Sequence, residues 1–292
     1  YVTNKEPSNI DLRFLVDGSK NVMIDSQKKV RIRPGYSVLG ARNTAATDVR
    51  GAWTWHTSTG SQRPLRFYDD ELEVYLATID GTIIDAWTRV RSGWSTTEKM
   101  RADTWFDTGE NLDLFLMVIG DSTLYEWNGA VAIVSSITGT TITKTGTTTF
   151  AQNRFYTTRN KTLINTRTGT EYTYTGGETT TTLTGIANTV GLVAGDTLIQ
   201  KVVSNANEPA ASRNSDTIFV FENQVCLGSD DDEEVHISKN TSITDYAFSA
   251  PRTPGEGGLL TLDSPSRGIS AIGRYLMFFS GRSSIFRANY QE

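Results

Sequence analysis

Catalysis by a nucleophile and a base would have to draw on very few residues of this chain. It holds two histidines, His56 and His236, and a single cysteine, Cys226. A Ser-His-Asp or Cys-His arrangement needs an imidazole beside the nucleophile, and neither histidine lies in a motif that supplies one. His236 stands between β-branched Val235 and Ile237 and reads as a strand histidine. Cys226 stands between Val225 and Leu227 and reads as a small buried core residue. The sequence has no Gly-rich phosphate loop and no CxxC, HExxH or GxSxG pattern. These observations predict a protein that is not an enzyme, with no cofactor and no metal ligand set.

Two features remain that could carry a function. Asp230, Asp231, Asp232, Glu233 and Glu234 form an acidic run between two candidate strands. Carboxylates are hard ligands for calcium, but a calcium loop spaces them around a glycine so that the chain can wrap the ion. Consecutive acids lack that spacing, so the run reads as a solvated hairpin tip. Brought together from several subunits, the same tip would line a lumen or an interface with negative charge. The second feature is aromatic: Trp53, Trp55, Trp87, Trp94, Trp105 and Trp127 all lie in the first half of the chain. Exposed indoles would stack on sugars, as a receptor- or glycan-binding module requires. The spacing of Trp87 and Trp127 favours packing between repeated units instead.

The elements that must position these residues are strands. In the segment 71–76, Leu72, Val74 and Leu76 share one face and Glu71, Glu73 and Tyr75 the other, the period of a half-buried strand. Turn signals follow at short intervals, at Asp80-Gly81, Gly120-Asp121, Asn128-Gly129, Gly176-Gly177 and Gly228-Ser229. Sliding the chain by about forty positions lays the segment 72–76 on 112–116, Ile79 on Ile119 and Trp87 on Trp127. A third, gapped copy lays 276–279 on 116–119 and 285–287 on 124–126; 218–221 with 225–228 has the same strand-turn-strand form. A period of about forty residues with short strands is that of a β-propeller blade. Hairpins of a sandwich are the alternative reading of the same pattern.

Residues 138–184 are rich in Thr, a strand-favouring residue. Phe155, Tyr156, Leu163, Ile164, Tyr172 and Tyr174 give that region the material of a core, against the alternative of a disordered linker. The expected organisation is therefore all-β: propeller-like blades over 1–134, an inserted small β domain over 135–205, and further blades over 206–292.

Composition narrows the partners. A net charge of −5 opposes a protein that grips nucleic acid, since phosphate binding needs clustered Lys and Arg. It suits a conduit that DNA crosses without sticking. The single cysteine fits a reducing compartment such as the bacterial cytosol. The longest apolar run, residues 114–119, is far too short to span a bilayer, so no membrane segment is expected.

The segments 9–13 (Asn-Ile-Asp-Leu-Arg), 18–21 (Gly-Ser-Lys-Asn) and 30–36 (Val-Arg-Ile-Arg-Pro-Gly-Tyr), with 216–225 and 274–287 near the other end, resemble the tail nozzle of short-tailed bacteriophages, also called tail tubular protein B, and related β-propeller tail proteins. The Thr-rich segments 171–174 and 182–185 are similar to insertions in such proteins. The resemblance implies a structural virion protein, assembled with copies of itself as a ring, commonly of six, around the genome channel. Its partners would be other tail or connector proteins and passing viral DNA without specific binding. Its place would be the virion tail, assembled in the host cytoplasm. It carries over no catalytic residue. Members of that family are longer, which implies that this chain is a fragment with blades missing.

Overall fold

The structure is a computed structural model, and it describes residues 22–24, 30–32, 48–120, 123–205, 215–247, 255–282 and 284–289. The opening motifs at 9–13, 18–21 and 33–36 lie outside the described residues. Residues 1–42 form one unit, in which Val22–Ile24 (β1) pairs antiparallel with Val30–Ile32 (β2). Residues 43–292 form the second unit, and the following describes that unit alone.

Alternation of apolar and polar residues makes strands, and glycine or Asx residues turn them. The first sheet is an antiparallel meander of β3 (Val49–His56), β4 (Gln62–Tyr68), β5 (Glu71–Ile79) and β6 (Thr82–Arg91). Its last hairpin turns through Asp80 and Gly81, at φ 49° and 82°, the left-handed pair that a tight hairpin with the right twist requires.

The second sheet begins with β7 (Arg101–Asp107), β8 (Leu112–Val118) and β9 (Leu124–Trp127). The chain then leaves it to form β10 (Val131–Thr138), β11 (Thr141–Lys144), β12 (Thr162–Asn165), β13 (Glu171–Thr173), β14 (Thr182–Leu183) and β15 (Thr197–Gln200), a six-stranded sheet in the order β13-β12-β15-β10-β11-β14. It returns as β16 (Val203–Asn205), where Val203 pairs with Glu126 and completes the order β16-β9-β8-β7. The insert thus interrupts a single sheet between its third and fourth strands. The expected boundary at 134/135 falls within β10, and residue 205 is the last of the returning strand.

The third sheet is a meander of β17 (Thr217–Phe221), β18 (Gln224–Gly228), β19 (Glu234–Ile237) and β20 (Gly258–Thr261). The fourth has three strands, β21 (Ser266–Ile272), β22 (Tyr275–Ser280) and β23 (Ile285–Asn289). The unit is therefore all-β, built of propeller-like antiparallel blades with a Thr-rich β insert. Among the described residues there is no helix long and apolar enough to cross a membrane.

The Thr-rich insert is an ordered domain because its Thr residues alternate with large ones. In β13, Tyr172 is buried between exposed Glu171 and Thr173. Its core gathers Phe150, Phe155, Leu163, Tyr172, Tyr174 and Leu183, with the Phe150 and Phe155 rings edge to face at 5.0 Å.

The forty-residue repeat needs correction. It lays the β5–β6 hairpin, third and fourth strands of one sheet, on β8–β9, second and third strands of the next. It is a hairpin match, shifted by one strand from the blade match. Trp87 and Trp127 accordingly do different things. Trp127 is fully buried and meets Trp55 of the first sheet at 5.9 Å, which packs two sheets together. Trp87 lies within its own sheet, edge on to Tyr75 at 5.6 Å and beneath the Arg66 guanidinium at 4.2 Å.

Candidate assembly surfaces

Each sheet that has two neighbours uses the strand's period of two to serve both. In β8, Phe115 and Met117 face the core shared with the first sheet, and Leu114, Leu116 and Val118 face the core shared with the third. In β18, Val225 and Leu227 face the second sheet and Cys226 faces the fourth. Every one of these residues is buried, which explains why 114–119 is a continuous apolar run. Polar bonds fix the same stacking. Trp105 donates its indole N–H to the Asn223 carbonyl at 2.7 Å, Asn223 Nδ2 donates to the Phe106 carbonyl at 3.0 Å, and the Val220 amide donates to Asp103 Oδ2 at 2.6 Å.

Among the described residues, the fourth sheet repeats this arrangement on one side only. Leu276 and Phe278 of β22, with Phe286 and Ala288 of β23, face the third sheet. The cross-strand pairs Leu276 with Ala288 and Phe278 with Phe286 match Phe115 with Trp127 and Met117 with Tyr125 in the second sheet. The sequence repeat that laid 276–279 on 116–119 is thus one residue out of step. In a strand such a slip exchanges the two faces. In the correct register, Tyr275, Met277, Phe279 and Ile285 occupy the positions of Leu114, Leu116, Val118 and Leu124, which the third sheet covers. On the fourth sheet that face is open: Ile272 is 66% exposed, Ile285 60%, and Tyr275 and Phe279 each 38%.

The acidic run connects β18 to β19. Asp230, Asp231 and Glu233 are exposed, while Asp232 and Glu234 are half-buried. The loop is tied down locally: the Asp231 amide donates to Ser229 Oγ at 3.1 Å and the Glu234 amide to Asp232 Oδ1 at 2.6 Å. Asp230 lies 3.4 Å from Arg267 at the start of β21 and donates its amide to Asp216 Oδ2 at 3.1 Å. Partial burial, a side-chain hydrogen bond with Asp230 and the charges of Asp230 and Asp231 push the Asp216 carboxyl up to about 6, against the pull of the Asp230 amide. Among the described residues, no group of three or more His, Cys, Asp or Glu is placed to hold a metal ion.

The insert is clamped to the second sheet by acids of that sheet. Arg159 reaches Asp107 at 2.5 Å and the buried Glu126 at 3.4 Å, and Glu110 accepts the amides of Thr157 and Thr158 at 3.0 and 2.9 Å. Although burial opposes it, these carboxylates hold the Arg159 guanidinium above its ordinary range.

The residues considered for catalysis are apart from any such arrangement. Cys226 is wholly buried. His236 is half-buried on β19, 3.6 Å from Glu234 and edge on to the Tyr246 ring. His56 is exposed at the end of β3. Trp55, Trp94, Trp105 and Trp127 are buried, and Trp53 and Trp87 half-buried.

No protein-family model matches the chain, and no curated protein sequence matches it. Among solved structures it is similar to the computationally designed Ika4 protein, at 8% identity over 88% of this chain and 100% of that one, with a TM-score of 0.38. It is also similar to BBS1N in complex with ARL6DN, at 11% identity over 92% of this chain and 74% of that one, with a TM-score of 0.31. A third is Kluyveromyces lactis Hsv2, at 8% identity over 83% of this chain and 59% of that one, with a TM-score of 0.24.

Proposed function

We propose that the chain is a structural subunit of a bacteriophage tail, a nozzle-like ring around the genome channel that acts by assembly and DNA conduction rather than by chemistry. The observation that carries this reading is the open apolar face of the fourth sheet. Its counterpart in the second sheet is covered by another sheet of the same chain, so a further sheet fits it, and in this reading a neighbouring copy supplies that sheet. Docking of one face on a different face of the next copy is heterologous, and a rotation that closes makes a ring. The net charge of −5 and the exposed Asp230, Asp231 and Glu233 suit a passage that DNA crosses without adhering. The tail location and the number six rest on the family resemblance. The receptor- or glycan-binding alternative has no fully exposed tryptophan in its favour.

Mass measurement in virion-like salt tests the reading. The wild-type protein is expected as a ring of about six copies, and Phe279→Glu with Ile285→Glu is expected to be a folded monomer. A wild-type protein that stays monomeric, together with imaged particles that carry no ring of it at the tail, overturns the reading.

A further inference from the structure

The strand β4 carries an anomaly in its own alternation. Leu65 and Phe67 are buried toward the second sheet, and the residue that continues that face is Arg63. Its cross-strand partner is Trp55, which is also in that core. A guanidinium thus sits on the core side of a sheet, at the sheet's end, beside Gly129.

Around Arg63 opens a cleft of about 580 Å³ between the first sheet, the second sheet and the insert, lined also by Ser58, Gln62, Gln152 and Arg154 and by the carboxylates Asp80 and Asp113. The buried charges at this place are matched. Lys144 pairs with Asp80 at 2.6 Å. Arg154 stands 3.7 Å from Asp113 and donates Nε to the Asn128 carbonyl at 2.6 Å. Arg63 donates to the Gly129 carbonyl, and among the described residues no carboxylate pairs with it. Burial and the positive charge of Arg154 pull it down to about 10, which still leaves it charged near neutral pH. Arg63 is half-buried at the edge of this cleft, and a planar guanidinium is the side chain that grips carboxylate or phosphate oxygens in pairs. Ser58, Gln62, Asn111 and Gln152 add hydroxyl and amide groups to the lining of the same cleft. The volume is within the usual range for small-molecule sites.

We propose that this cleft is a binding site for a small organic oxyanion, a carboxylate or phosphate carried on a hydroxylated body the size of a sugar, with Arg63 as the residue that holds the charge.

Calorimetry and thermal melting of the full chain test this, with glucuronate and glucose 6-phosphate as probes and glucose as the neutral control. One or both anions are expected to bind and to raise the melting temperature, while glucose does not; which of the two binds tells carboxylate from phosphate. Arg63→Met is expected to lose at least tenfold in affinity for that anion. Arg63→Lys retains part of the binding. Absence of binding by both anions, equal stabilisation by chloride at the same ionic strength, or an unchanged response in Arg63→Met overturns the proposal. These outcomes are independent of the ring, since Arg63→Met leaves the fourth sheet untouched.

Discussion

Leu116 and Met117 are consecutive in β8 and both fully buried, yet they belong to different cores: Met117 packs toward the first sheet and Leu116 toward the third. A strand two residues wide in its repeat can be internal on both faces only when a sheet lies on each. The pair therefore marks the second sheet as a middle layer, and the stacking of blades follows from it.

Truncating either residue should reveal which sheet it supports. Leu116→Ala and Met117→Ala are each expected to cost about 2–5 kcal/mol in urea unfolding. By hydrogen exchange, Met117→Ala should loosen amides of β4 and β5, and Leu116→Ala those of β17 and β18. Identical exchange patterns in the two variants would contradict the assignment of faces.

Gly129 is held at φ 76°, and a Cβ there would come within 2.6 Å of the Trp55 ring. Gly129→Ala combines left-handed strain with overpacking, so a loss of about 2–4 kcal/mol is expected. Chemical denaturation followed by tryptophan emission checks it, and a change under about 0.5 kcal/mol would refute the close approach.

Asp216 should make stability fall with rising pH. Its carboxyl is raised in the folded state to about 6 from an ordinary 3.8, so the folded protein binds more protons between those values. The penalty is absent below pH 3.8, grows as pH rises toward 6, and is constant above. Asp216→Asn removes it while keeping an oxygen for the Asp230 amide. The variant should exceed wild type by about 1 kcal/mol at pH 7.5, after discounting for solvent screening, and match it at pH 3.5. A difference between the two proteins that does not vary with pH would defeat this account.

The alternation of Leu72, Val74 and Leu76 and the glycine turns made the strands and the all-β, blade-like class readable, because period two is written residue by residue. Burial of Phe155 and Tyr172 in the insert was likewise signalled by large residues set among Thr. The blade register was not readable. Leu116 and Met117 are both apolar, so the run around them gives no sign of which face is which, and residues 276–279 aligned one position away from their structural match. Nor does an indole in sequence distinguish a Trp127 packed between sheets from a Trp87 lying along one. Arg63 stands on the core side of Leu65 and Phe67 in plain alternation, but its lack of a carboxylate partner emerges only where three elements meet.

Because β16 pairs Val203 with Glu126 across the whole insert, the second sheet stays one strand short on the ribosome until the insert has been synthesised. Val131 of β10 pairs with Ile199 of β15, so the insert brings its own two ends together as it folds and absorbs most of the loop-closure entropy beforehand. Early closure of the insert would thereby shorten the effective loop that the middle blade must close to gain its last strand.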